Sequence, residues 1–287
     1  MLSKNLFFAS LFDVLKEMHK EMRVSNKRYS VIKDLLISYF RSSNFTDHQG
    51  KGIEFGPFGT IRFPYRTMGT IDTSDLFGID ELIIFSYYLS NAAIYRKTLD
   101  LGANLGLHSI MMSRCGFNVT AFEPDPIHQE ILLANLSLND IHNVTLQRAA
   151  ISDKDGIAEF IRVRGNTTGS HLAGAKSNPY GDLDRFEVEV KAIGPFATKV
   201  DFAKMDVEGH EINVINGIQQ ETWDRLDILM ECGSFDNACS LFDLSRSLNI
   251  KLYSQKIGWD CVNAVSDLPT SHHEGSVILT RKERLNW

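Results

Sequence analysis

Residues 98–125 constrain the fold more than any other stretch of the chain. Thr98-Leu99-Asp100-Leu101 is an apolar run stopped by Gly102-Ala103-Asn104-Leu105-Gly106, the pattern of a buried strand ending at a tight turn. Leu107, Ile110, Met111 and Cys115 then recur at helical spacing, and Gly116 is suited to close that helix in the left-handed conformation. Val119-Thr120-Ala121-Phe122 is a second apolar run, with Glu123-Pro124-Asp125 at its tip. The result is a βαβ unit, which requires a parallel sheet covered on both faces.

The unit carries a ligand signature. Glycines let a backbone lie close to a ligand, and the free N–H groups at a helix start favour its anionic end. Glu123 follows Gly102 by 21 residues, the position from which such folds hold ribose hydroxyls. The turn reads G-x-N-x-G and not G-x-G-x-x-G, so it suits a nucleoside with a small charged tail better than a dinucleotide. S-adenosylmethionine fits that description.

Composition narrows the partners. The 287 residues hold 30 Lys and Arg against 36 Asp and Glu, a net charge of −6, which argues against a nucleic-acid groove built on bulk charge. Four cysteines, Cys115, Cys232, Cys239 and Cys261, form no C-x-x-C pair, so a reducing, cytoplasmic setting is expected. The first apolar run is cut short by Asp13, too soon for a secretory signal, and the stretch 82–95 is too short for a membrane span.

Before the central unit, residues 1–40 read as two amphipathic helices. Leu11, Val14, Leu15 and Met18 share one face, and Ile32, Leu35, Leu36 and Tyr39 another. Such helices suit a lid, an acceptor contact or a homo-oligomer contact. A linker over 41–52 leads to a hairpin, with strands 53–55 and 60–63 around the loop Gly56-Pro57-Phe58-Gly59. Residues 64–77 read as irregular and 79–95 as a helix. After it, strands are expected near 144–147, 202–207, 227–232, 251–256 and 276–280, with helices at 127–138 and 237–248. The alternating runs 157–163 and 186–193 read as sheet-edge strands flanking a long loop, 164–185. That loop and 64–77 are expected to wall an acceptor pocket, using Tyr65, Arg66, Asn166 and His171.

In an open α/β sheet the ligand lies beyond the carboxyl ends of the strands. Lys204-Met205-Asp206-Val207-Glu208-Gly209-His210-Glu211 crowds ionisable groups at one such end, and Glu231 ends the next strand. Three segments, Asp100 to Gly106, Ala121 to Pro126 and Lys204 to Glu211, together with Gly217 and Glu231, resemble the FkbM family of S-adenosylmethionine-dependent methyltransferases. Met205 stands where that family usually has Ile. The resemblance implies a class I methyltransferase fold: a Rossmann-like, mostly parallel sheet with helices on both faces at 98–287, preceded here by a helical and hairpin extension at 1–97. It implies methylation of a hydroxyl on a sugar, glycan or related small molecule. Asp100, Gly102, Asn104 and Gly106 would hold the methionine end of the cofactor, Glu123 the ribose, and the segment with Ala150 and Asp153 the adenine. His210 is the expected general base, an imidazole able to take a hydroxyl proton near neutral pH. Asp206 and Glu208 would orient it, and Lys204 would anchor a carboxylate or the acceptor. No metal site is assigned. A nicotinamide-dependent oxidoreductase and a non-catalytic methyltransferase-like binding module remain the alternatives.

Overall fold

The computed structural model describes residues 4–42, 52–176 and 181–287; most of the expected linker, 43–51, lies outside them. Helices α1 (Lys4–Glu17) and α2 (Lys27–Ser42) lead to the short antiparallel strands β1 (Ile53–Glu54) and β2 (Thr60–Ile61). Helix α3 (Ile79–Ser90) follows. The faces of the first two helices differ from expectation. Helix α1 buries Phe8, Phe12 and Leu15 and leaves Val14 36% exposed; α2 buries Tyr29, Leu36 and Phe40 and leaves Leu35 60% exposed. Aromatic rings bury more area than aliphatic chains and set the rotation. Phe8 meets Phe55 at 4.5 Å between centroids, and Phe12 meets Phe58 at 5.1 Å. Those two hairpin rings come from a five-residue loop, 55–59, so β1 ends a residue before its expected limit; β2 ends at Ile61, two residues before its own.

The central sheet begins with β3 (Lys97–Leu101), α4 (Leu107–Arg114), β4 (Asn118–Phe122), α5 (Pro126–Leu138) and β5 (Val144–Gln147). The chain then builds a separate sheet from β6 (Ala150–Ser152), β7 (Gly156–Val163), β8 (His171–Leu172) and β9 (Leu183–Ala192), in the order β6-β9-β7-β8. The two alternating runs thus pair with each other over eight positions and are not edges of the main sheet. The long loop is shortened accordingly: His171 and Leu172 pair with Ile161 and Phe160, and residues 183–185 belong to β9. Arg162 of β7 ties this sheet to the tip of β4 through two 2.6 Å bonds to the buried Asp125.

After α6 (Gly194–Ala197), the central sheet resumes with β10 (Phe202–Met205), α7 (Glu211–Asn216), β11 (Asp227–Glu231), α8 (Phe235–Leu248), β12 (Lys251–Ser254), β13 (Asp260–Cys261) and β14 (Ser276–Thr280). The spatial order is β13-β12-β14-β11-β10-β3-β4-β5. Strands β5, β4, β3, β10 and β11 are parallel, and β14 runs antiparallel to both β11 and β12. The chain moves outward from β3 to β5 and returns on the other side at β10, so the order switches between β3 and β10.

Alternation along each strand feeds two apolar layers. Phe202, Leu229 and Ile278 face the layer containing Phe8, Leu82 and Ile110; Ala203, Met230 and Leu279 face the one containing Val214, Trp223 and Leu241. Helices therefore cover both faces, and the N-terminal helices share a core with the sheet. Lys204 is in register with Asp100, across the switch point.

Candidate active site

The glycine turn is shaped by close approach. Gly102 has φ +77°, and a Cβ there would sit 1.8 Å from the Asp206 carbonyl oxygen, so only glycine lets β3 pass the end of β10. Asn104 is also left-handed at φ +50°. Its N–H donates to Glu123 Oε2 at 2.7 Å, while the Asp125 N–H donates to Oε1 at 2.8 Å. The Glu123 carboxylate thus fastens the turn to the tip of β4. Burial pushes Glu123 up to about 8, against the pull of those two donors.

Two cavities meet beyond the strand ends. The first runs along Gly102, Glu123, Ala150, Phe160, His171 and His210. The second, about 520 Å³, is walled by Glu81, His108, Lys176, Lys204, Glu231 and His272. Gly102, Asn104, Thr168, Asp206 and Glu208 line both. Of the sequence-derived site residues, Glu123, Ala150 and His210 stand on the first cavity and Lys204 on the second. Asp100, Gly106 and Asp153 line neither. Asp100 is buried behind the turn and accepts from the Ser109 hydroxyl at 2.6 Å; Gly106 caps α4; Asp153 is exposed.

The tip of β10 is held by charge. Lys204 is 7% exposed, with Nζ 3.3 Å from Asp206 Oδ2. Burial pulls its pKa down, yet Asp206, Asp100, Glu81 and Glu231 together outweigh that and hold it above the ordinary lysine value. Glu208, at φ +55°, is ion-paired with Lys176; burial and then Asp206 push it up to about 7. His210 precedes α7 without capping it by its side chain. Its Nε2 lies 2.8 Å from Ser152 Oγ, and that hydroxyl donates to Asp153 Oδ1 at 2.9 Å. Burial lowers the His210 pKa, with Asp153 opposing.

Two chamber histidines, His272 and His108, were not among the sequence-derived site groups. His272 Nδ1 is 3.1 Å from Glu231 Oε2, and that hydrogen bond, outweighing burial, raises the imidazole pKa. His108 lies between Tyr88 and Glu81: Nδ1 is 2.9 Å from the Tyr88 hydroxyl and Nε2 is 2.7 Å from Glu81 Oε2. The expected pocket walls divide. Asn166 lines the second cavity and His171 the first, while Tyr65 and Arg66 line a separate groove beside α5.

The residues fit an S-adenosyl cofactor. A cradle closed to any Cβ lies at Gly102, a carboxylate stands at the tip of β4, and two buried acceptors on residues that line the first cavity, Asn104 Oδ1 and His171 Nε2, have no hydrogen-bond partner among the described residues. Strand order, glycine turn and spaced acid together define a class I S-adenosylmethionine-dependent methyltransferase fold. The methyltransferase FkbM domain matches residues 100–248, just over half of the chain, and the chain belongs to that family. Among curated relatives, methyltransferase sdnD of Sordaria araneosa is 26% identical, the match covering 48% of this chain and 66% of that protein, just under two thirds of its length. Methyltransferase 1 of Beauveria bassiana is also 26% identical, covering 56% and 74%. Among solved structures, a precorrin-6y C5,15-methyltransferase from Geobacter metallireducens is 15% identical, with a TM-score of 0.41 over 74% of this chain and 96% of that one.

Proposed function

We propose that the protein transfers a methyl group from S-adenosylmethionine to a hydroxyl oxygen of a polar, carbohydrate-like acceptor held in the second cavity. The observation that carries this reading is the junction of the two cavities at Asp206 and Glu208, one side suited to a nucleoside and the other lined by ionisable and amide side chains. The cofactor, when bound, supplies an electrophilic methyl on a sulfonium. Gly102 and Asn104 would hold its methionine end, Glu123 the ribose, and the segment with Ala150 the adenine. Lys204 fixes the Asp206 carboxylate at the junction, where negative charge favours a sulfonium.

An alcohol needs help losing its proton, and two imidazoles stand near the junction. His210 lies on the nucleoside side, bound to Ser152. His272 faces the chamber with Nδ1 on Glu231, which leaves Nε2 as the acceptor of the hydroxyl proton. His272 Nε2 would take the acceptor's proton as its oxygen is methylated, and Glu231 would steady the imidazolium. The experiment is incubation of the purified protein with methyl-labelled S-adenosylmethionine and a panel of glycosides and polyols, with products read by mass spectrometry. A methyl ether is the expected product. Methylation confined to nitrogen or carbon would exclude the hydroxyl acceptor, and binding of NAD in place of S-adenosylmethionine would exclude the activity altogether.

A further inference from the structure

We propose that His171 reads the exocyclic amine of the cofactor's adenine ring, an inference that rests on S-adenosylmethionine occupying the first cavity. His171 opens β8, opposite Ile161 of β7, and is 1% exposed. Its Nδ1 lies 3.0 Å from the Gly169 carbonyl oxygen. A carbonyl only accepts, so Nδ1 carries the hydrogen and the neutral ring presents a lone pair at Nε2. Burial, against the pull of the Gly169 hydrogen bond and with the nearby charges of Lys176 and Arg185, lowers the pKa of this ring, so the neutral form prevails at pH 7.

Among the described residues Nε2 is buried without a hydrogen-bond partner. A buried acceptor left unpaired is costly, and on a residue that lines a cavity it calls for a donor from a ligand. The surroundings say which part of the ligand supplies it. Beside His171 the wall is apolar: Ala150, Phe160 and Leu172 belong to one small cluster and all line the cavity. A flat heterocycle suits that wall, whereas the ribose hydroxyls have their acceptor in Glu123 at the tip of β4. The donor that an adenine ring offers on its edge is its amine. His171 therefore does more than shape the wall: it discriminates adenine from a ring bearing a carbonyl oxygen at the same place, where two acceptors would face each other.

The test is calorimetric and needs no turnover. S-adenosylhomocysteine and S-inosylhomocysteine differ at this position, amine against carbonyl oxygen. The wild-type protein is expected to bind the adenine compound roughly 10- to 100-fold more tightly. His171→Leu keeps apolar bulk and removes the acceptor; it should bind the adenine compound more weakly and bring the two affinities within about threefold. His171→Gln retains a side-chain oxygen and should recover much of the adenine binding; it also decides the matter if the leucine variant does not fold by circular dichroism. Wild-type affinities within threefold of each other would overturn the assignment, as would an equal loss for both compounds in the leucine variant or failure of a folded glutamine variant to bind. Binding of neither compound by the wild type would instead overturn the cofactor reading, and this inference with it.

Discussion

Glu123 shows how one side chain links fold and pH. Its ordinary value of 4.5 is raised to about 8 by burial. Between those values the folded chain keeps a proton that the unfolded chain gives up, so this group's contribution to stability falls as pH rises through the window. Ribose hydroxyls donate only to an acceptor and so favour the anion. Cofactor binding at pH 7 is therefore expected to release a fraction of a proton, seen as a buffer-dependent binding enthalpy. An enthalpy independent of buffer would remove Glu123 from the ribose. At His272 the sign is reversed in its effect on rate. Glu231 raises the imidazole above 6.5, with Glu208 adding to it and Lys176 opposing, and only the neutral ring accepts a proton. The kcat should climb with pH through that raised value and then level off. His272→Ala should lower kcat by roughly 10²- to 10⁴-fold and flatten the profile with cofactor affinity intact. His210→Ala should act mainly on cofactor affinity; the opposite pattern would return the base to His210.

At the scale of elements, the glycine turn and the second sheet do different work. Gly102→Ala would force a side chain into the Asp206 carbonyl at a positive φ, and should cost about 1–3 kcal/mol by denaturant unfolding. The first cavity offers only about 60 Å³ of open space, against roughly 300 Å³ or more for small-molecule pockets. Its wall at Thr167 and Thr168 is expected to move to admit a nucleoside, so amide exchange across 164–176 should be fast in the free protein and slow markedly with cofactor. Unchanged exchange would mean that another wall yields. The glycine turn was readable from sequence because its signals are local: an apolar run, glycines and helical spacing. Strand β14 was readable for the same reason. Partnerships were not. Alternation marked 157–163 and 186–193 as strands, yet nothing in either run says that they pair with each other. The His272–Glu231 contact joins residues 41 apart. It forms because β14 lies antiparallel on β11 with Ser276 opposite Glu231, a pairing invisible until the sheet is built.

Across the whole molecule, Asp80 joins three distant segments. At the start of α3 it accepts from the Tyr29 hydroxyl of α2 at 2.8 Å and from the Gln255 amide, just past β12, at 2.7 Å. Asp80→Ala would leave both donors without this acceptor and should destabilise the fold by about 1–3 kcal/mol, read as a lower Tm with cooperativity retained. A Tm within a degree of wild type would show that the N-terminal helices are held by their apolar face alone. Loop 164–176, described above as a wall, is shared property: Thr168 fronts both cavities, Asn166 and Lys176 front the second, and His171 fronts the first. A ligand that settles one side of this loop therefore alters the other, and the coupling must be mutual. In binding measurements that sharing predicts that donor and acceptor each change the other's affinity by the same factor.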